Sequence, residues 1–302
     1  MKKILITGEN SYIGTAVEQY LQEYNRMQGA LQYRVDTISV RGEDWKKADF
    51  SPYDAVFHVA GIAHADVGKV SEEEKALYYQ VNRDLAYETA CKAARQGVRQ
   101  FIYMSSVIVY GDSAPVGQKK HITKDTPLTP ANFYGDSKKQ AEERLLPLQQ
   151  EHFNIAVLRC PMIYGKGSKG NYPLLAKLAK KMPFFPDVAN ERSMLYVENL
   201  AEFVRRLVES GSGGIFFPQN SEYTGTSRMV KEIAASYGRQ IRLWKILNPF
   251  VVLASKVPGK IGGLVNKAFG SLTIDRSLEQ KDLAGYQIYS LEESIKRTEG
   301  GK

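Results

Sequence analysis

The first fourteen residues constrain the chain more than any other stretch. Residues 3–7 form a short apolar run that stops at Gly8, and Thr7-Gly8-Glu9-Asn10-Ser11-Tyr12-Ile13-Gly14 carries the chain onward. Behind it, Ala16, Val17, Tyr20 and Leu21 recur at helical spacing. A short apolar run without alternation reads as a strand buried on both faces, which belongs in a parallel sheet. Gly8 permits a sharp turn out of that strand, and the free N–H groups at the start of the helix then face the turn. Gly14 would let the helix pack closely on the strand. Strand, glycine turn and helix in this order predict an α/β fold built on a doubly wound parallel sheet, with a dinucleotide phosphate at the first turn. The cradle would comprise Gly8, Ser11, Tyr12, Ile13 and Gly14.

The strand-and-helix pattern continues. Residues 33–40 read as the second strand, and a site for NAD would normally place Asp or Glu at its end. Arg41 stands there, followed by Gly42. A guanidinium can pair with a 2′-phosphate, which favours NADP over NAD; alternatively, Arg41 is a solvated strand-end residue and Glu43 or Asp44 serves the ribose. Asp49 and Phe50 follow as an expected adenine-side pair. Residues 54–60 read as a third strand, and Val59, Ala60 and Gly61 at its end would allow close approach to the cofactor. His58 and His64 lack a carboxylate or cysteine at ligand spacing, so both read as ordinary histidines and no metal is expected. Residues 75–96 read as a long helix ending at Gly97 and carrying Asn82. A strand within residues 100–109 ends in Ser105-Ser106, at the sheet edge where open α/β folds bind ligands.

Phe133-Tyr134-Gly135-Asp136-Ser137-Lys138 is the expected seat of the chemistry. On a helix, Tyr134 and Lys138 share one face, one turn apart. An ammonium near a phenol favours the phenolate and lowers its pKa from about 10. Such a tyrosine can exchange a proton with a sugar or alcohol hydroxyl near neutral pH. The plainer alternative is a Tyr and a Lys on an amphipathic helix.

Composition narrows the partners. A net charge of +8 over 302 residues suits anionic ligands. Cys91 and Cys160 offer neither a disulfide framework nor metal-ligand spacing and fit a reducing cytoplasm. The basic start has too short an apolar run for a secretory signal, and no stretch approaches a transmembrane span. No basic-aromatic surface for nucleic acid is evident. Residues 247–269 are apolar with Lys256, Lys260 and Lys267 interspersed. They read mainly as part of a substrate lobe, because Pro258-Gly259 and Gly262-Gly263 break the helix, and they leave room for peripheral membrane contact.

Taken together, Thr7-Gly8 to Gly14, Val59-Ala60-Gly61, Ser105-Ser106 to Tyr110-Gly111 and Tyr134 to Lys138 resemble the extended short-chain dehydrogenase/reductase superfamily. Leu158-Arg159-Cys160-Pro161 to Gly165, with Gly167, Gly170 and Asn171, and Glu191-Arg192-Ser193 to Ala201 sharpen the resemblance toward its nucleotide-sugar branch, the UDP-glucose 4-epimerase-like group and related 4-keto-sugar reductases. The resemblance implies a Rossmann-type domain over residues 1–165, with 195–218 returning to it, and a smaller C-terminal substrate-binding lobe from 166–194 and 219–302. It implies catalysis by Ser106, Tyr134 and Lys138. Asn82, Lys138 and Pro161 would support the cofactor, and Ser106, Val107, Asn171 and Arg192 would bind a UDP-sugar. It also implies a cytoplasmic homodimer. Two positions depart from the pattern: Ser11 replaces the middle glycine, and Arg41 replaces the acidic ribose ligand. Val107 and Ile108 stand where dehydratases carry acidic residues, which disfavours dehydration. A non-catalytic dinucleotide-binding regulator on the same fold is a further alternative.

Overall fold

A computed structural model describes residues 1–63 and 70–300. In chain order, β1 (Lys2–Thr7) turns into α1 (Tyr12–Gln28), followed by β2 (Tyr33–Ile38), β3 (Ala55–His58), α2 (Glu72–Tyr79), α3 (Leu85–Arg95), β4 (Gln100–Ser106), β5 (His121–Ile122), α4 (Phe133–Leu145) and β6 (Asn154–Cys160). Then come β7 (Met162–Tyr164), α5 (Asn171–Lys181), β8 (Phe184–Pro186), β9 (Met194–Tyr196), α6 (Val197–Ser210), β10 (Gly214–Phe216) and α7 (Thr226–Ser236). The chain closes with β11 (Arg242–Trp244), α8 (Asn248–Ser255), α9 (Lys260–Phe269), β12 (Thr273–Ile274) and α10 (Leu291–Glu299).

The main sheet has the order β10-β6-β4-β3-β1-β2, and all of its pairs are parallel. Alternation along the strands fills both faces. Ile4, Ile6, Phe57, Ile102 and Leu158 pack on one side against Val17 and Leu21 of α1 and Leu200 and Val204 of α6. Leu5, Val56, Phe101, Tyr103 and Val157 pack on the other against Ala86 and Ala90 of α3 and Ala141 and Leu145 of α4. From β1 the chain moves outward to β2 and returns to the opposite side at β3. The winding therefore reverses between β1 and β3, and the crevice at such a switch point is where these sheets bind ligands. This is the expected Rossmann-type arrangement.

Several elements differ from expectation for identifiable reasons. β2 stops at Ile38, whose carbonyl accepts from both Gly8 N and Glu9 N at 3.0 and 3.3 Å. β3 stops at His58 because Val59 N and Ala60 N both turn onto Thr7 O, at 3.0 and 2.9 Å. The expected single helix over residues 75–96 is α2 and α3 joined by a wide π turn, Gln80–Asp84. Within that turn the Tyr103 hydroxyl donates to Asn82 O at 2.8 Å.

The remaining helices build a second core in which α5 supplies Tyr172 and Leu175, α7 supplies Met229 and Ile233, and α10 supplies Ile295. Three two-stranded parallel sheets, β7-β9, β8-β11 and β5-β12, tie this part together. Residues 247–269 belong to it as α8 and α9, with Val251 and Phe269 turned into its core.

Candidate functional site

The cradle at the first turn is closely packed. Ser11 caps α1, its Oγ accepting from Gly14 N at 3.1 Å. A Cβ on Gly8 would come within 2.8 Å of Ala60 N, and φ is +117° there. A Cβ on Gly14 would meet Ser11 Oγ at 2.5 Å and Val59 Cγ2 at 3.1 Å. Only glycine fits at these two positions, and Val59 and Ala60 lie against the turn. Ser11, in the family's glycine place, uses its side chain as the helix cap.

The next residue links the cradle to the reactive helix. A Cβ on Gly61 would lie 3.0 Å from Asn82 Oδ1 and 3.2 Å from Lys138 Nζ. Asn82 is fully buried. It accepts from Ile62 N at 2.9 Å, donates to Ile62 O at 3.0 Å and donates to Ser137 Oγ at 3.0 Å. Asn82 thus clamps the end of β3 to α4, which gives the mid-helix Asn a definite structural task.

Tyr134 sits in the first turn of α4, whose N-cap Asn132 accepts from Gly135 N at 3.0 Å. A Cβ on Gly135 would lie 2.8 Å from Ile108 O, so the helix start rests against the turn after Ser106. Burial pushes the Tyr134 hydroxyl up to about 12, with its Ser106 hydrogen bond acting in the opposite direction. Lys138 lies one turn on, yet its Nζ donates to Met104 O at 2.8 Å and stands 4.7 Å from the Tyr103 ring centroid. Burial pushes Lys138 down to about 8, partly offset by Glu142. The expected depression of the Tyr134 pKa by Lys138 is therefore corrected. Desolvation disfavours the phenolate, and the amine is turned onto a strand carbonyl. At neutral pH Tyr134 is a phenol held against Ser106, suited to donating a proton.

Other expected residues fall as follows. Asp49 is exposed, and its carboxylate accepts from Ser51 N at 2.9 Å. Phe50 is fully buried with Trp45 in the core, and its N–H donates to Gln96 at 2.8 Å. Its expected adenine-side role is corrected, since its ring and N–H are both committed. Val107 is buried with Val109 and Tyr110; its expected substrate contact is likewise corrected for the side chain, which faces the core. Arg41 is exposed just beyond β2. Tyr12 is half-buried beside Gly165, Pro161 is buried after β6 and Asn171 opens α5. Arg192 Nη1 donates to Lys267 O at 2.5 Å, and burial lowers its pKa. Among the described residues no carboxylate pairs with it. His58 is buried neutral, pushed down to about 3 by burial, with Nδ1 2.7 Å from the Thr7 hydroxyl. His64 lies outside the described residues. No metal-binding group of His, Cys, Asp or Glu occurs among the described residues.

Sequence reasoning missed the support beneath the site. Glu142, one further turn along α4 from Lys138, is buried against Arg159, with Arg159 Nη2 to Glu142 Oε2 at 2.6 Å. Ser105 donates to the same carboxylate, and Arg159 Nη1 donates to the Tyr110 hydroxyl at 2.6 Å. The Lys138 to Glu142 spacing places Glu142 on the same helix face, but its pairing with Arg159 on β6 left no local signal. Tyr78 of α2, edge-on to Tyr134 at 6.3 Å between ring centroids, left no such signal.

The glycine cradle, its helix N-terminus and the small residues beyond β3 fit a nicotinamide dinucleotide. Residues 4–217 match the NAD dependent epimerase/dehydratase family. The chain is 27% identical to UDP-glucose 4-epimerase from Vibrio cholerae over 98% of this chain and 94% of that protein. It is 26% identical to the N-acetyl-α-D-glucosaminyl-diphospho-ditrans,octacis-undecaprenol 4-epimerase of Escherichia coli O157:H7, over 85% and 81%. Among solved structures, the dTDP-4-dehydrorhamnose reductase of Bacillus anthracis in complex with NADP superposes with a TM-score of 0.69 at 20% identity, over 99% and 98% of the two chains. UDP-glucuronic acid 4-epimerase from Bacillus cereus in complex with NAD gives 0.67 at 15% identity, over 98% and 96%. With its cradle at the switch point and a match spanning most of its length, the chain is an enzyme of the NAD-dependent epimerase/dehydratase family.

Proposed function

We propose that the chain catalyses NAD(P)-dependent redox chemistry at C4 of a UDP-linked hexose, as a 4-epimerase. The observation that carries this reading is a pair of contacts at the carboxyl edge of the sheet: Tyr134 against Ser106 and, one turn along α4, Lys138 with Asn82 around Gly61. Near-full-length similarity to a UDP-glucose 4-epimerase supports it. A bound nicotinamide dinucleotide supplies reversible hydride exchange. Tyr134 would move the proton: its buried phenol first releases its own proton to solvent, and the resulting phenolate takes the 4-hydroxyl proton as C4 loses hydride and returns it to the 4-keto oxygen as C4 regains hydride on its other face. Ser106 hydrogen-bonds both the phenol and that oxygen. Lys138 holds the nicotinamide ribose, and Arg192 pairs with the substrate diphosphate, a task suited to a guanidinium.

The second reading is a reductase acting on a nucleotide-linked 4-keto sugar. Two observations favour it: the neutral phenol of Tyr134 is already a proton donor, and Arg41 occupies the acidic ribose position, which suits NADPH. The experiment is to denature the purified protein, identify any released nucleotide, and titrate the stripped protein with NAD(H) and NADP(H). Tightly held NAD supports the epimerase. An empty site that prefers NADPH replaces that reading with the reductase.

A further inference from the structure

The surface formed by α8 and α9 has apolar side chains facing solvent on a rigid base. Ile246, Phe250, Leu253 and Ile261 are 74, 68, 68 and 61% exposed. Phe250 and Leu253 of α8 stand at i and i+3, Val257 follows in the turn beyond it, and Ile261 and Leu264 of α9 stand at i and i+3, so each helix turns apolar side chains outward while Val251 and Phe269 face the core. The hairpin is braced. Asn266 donates to Ser255 O at 2.9 Å, and its Oδ1 accepts from Val116 N at 3.0 Å. A Cβ on Gly262 would come within 2.1 Å of Val257 O, so α9 abuts the turn that leaves α8. The apolar stripe is therefore the outer face of a fixed element, not a loose end.

Its charge is one-sided. From Ile233 to Ile274 the chain carries six Arg and Lys and no Asp or Glu. Arg242, Lys245, Lys256 and Lys267 are exposed, and none of them forms an ion pair among the described residues. A protein partner with a complementary apolar face would not require this basic bias; an anionic lipid surface would. Among the described residues no helix is long and apolar enough to cross a membrane, so the hairpin can lie in the interface without spanning it.

We propose that the α8–α9 hairpin is a membrane-docking element that seats its apolar stripe in the interface of an anionic bilayer, with its lysines at the level of the lipid phosphates. This inference is independent of the substrate reading above.

The test is cosedimentation of the full-length protein with vesicles of phosphatidylcholine containing about a third phosphatidylglycerol, and with pure phosphatidylcholine. The proposal expects binding to the anionic vesicles that weakens with added salt. Phe250→Ser with Leu253→Ser should lower the partition coefficient about 100-fold, given the apolar area removed. Lys245→Gln and Lys256→Gln should each lower it about 5-fold. Ile261→Ser with Leu264→Ser on the other helix should also lower it, which keeps the test decisive if the first pair fails to fold. Thermal unfolding checks the fold of each variant. Absence of vesicle binding overturns the proposal, as does binding that folded variants leave unchanged. A wild-type dimer that the serine variants convert to monomer, without vesicle binding, would assign the stripe to a second copy and also overturn it.

Discussion

Replacing Glu142 with Gln should destabilise the protein by about 3 kcal/mol, near the lower end of what breaking a buried ion pair costs. The side chains of Arg159 and Glu142 are 8 and 1% exposed. The guanidinium reaches the carboxylate through Nε at 3.0 Å and Nη2 at 2.6 Å. Gln keeps the shape and one acceptor oxygen, but it sets an amide NH2 against a buried guanidinium that has lost its counter-charge. Against a total stability of about 5–15 kcal/mol for a typical folded domain, that loss is large. Equilibrium urea unfolding followed by circular dichroism gives the difference directly. A double variant, Glu142→Leu with Arg159→Met, should cost less than the sum of the two singles, because removing both charges also removes their desolvation cost, while the Ser105 and Tyr110 hydroxyls each lose a partner. Loss of Glu142 should further depress Lys138, for which this carboxylate partly offsets burial. A single-variant cost under about 1 kcal/mol, the range of exposed pairs, would refute the reasoning. So would a double variant as unstable as the sum of the singles.

Three further outcomes follow from the same geometry. His58, with an ordinary value of 6.5, is held neutral and pushed down to about 3. The unfolded chain therefore binds more protons between those values, and this contribution is present above pH 6.5 and lost as pH falls toward 3, at up to about 1.4 kcal/mol per pH unit. Urea unfolding at pH 7 and 4.5 should show a shallower acid loss for His58→Leu than for the wild type; an unchanged loss would contradict this. Gly61→Ala places a methyl 3.0 Å from Asn82 Oδ1 and 3.2 Å from Lys138 Nζ. It should weaken dinucleotide binding by calorimetry at least about 10-fold while costing under about 2 kcal/mol of stability; unaltered affinity would separate Gly61 from the cofactor site. Arg41→Glu should weaken NADPH binding more than NADH binding, and equal losses would mean that Arg41 does not read the phosphate.

The frame of the molecule was legible because it depends on local rules. An apolar run ending at Gly8, a helical pattern through Ala16, Val17, Tyr20 and Leu21 and serines closing β4 each announce themselves within a few residues, and parallel topology follows from strands separated by helices. What was not legible depends on tertiary partners. Lys138 shares a helical face with Tyr134, as its spacing predicts, but the Met104 carbonyl that captures its amine lies on a different element. Phe50 follows a loop aspartate like a binding residue, and it is the Trp45 and α3 packing that makes it core. The π turn at Asn82 carries a carbonyl whose partner, the Tyr103 hydroxyl, lies some twenty residues on. The apolar character of residues 247–269 could be read directly; which side chains face outward could not, since that depends on Val251 and Phe269 finding the lobe core.

The central claim, hydride chemistry at C4 with Tyr134 moving the hydroxyl proton, is tested most directly by a labelled turnover. Purified enzyme with its dinucleotide is incubated with UDP-glucose deuterated at C4, and the products are followed by NMR. The account predicts the C4 epimer with deuterium retained at C4, and a rate about 10²–10⁴-fold lower for Tyr134→Phe with dinucleotide binding preserved. Replacement of the label by solvent hydrogen, or undiminished turnover in Tyr134→Phe, would contradict it.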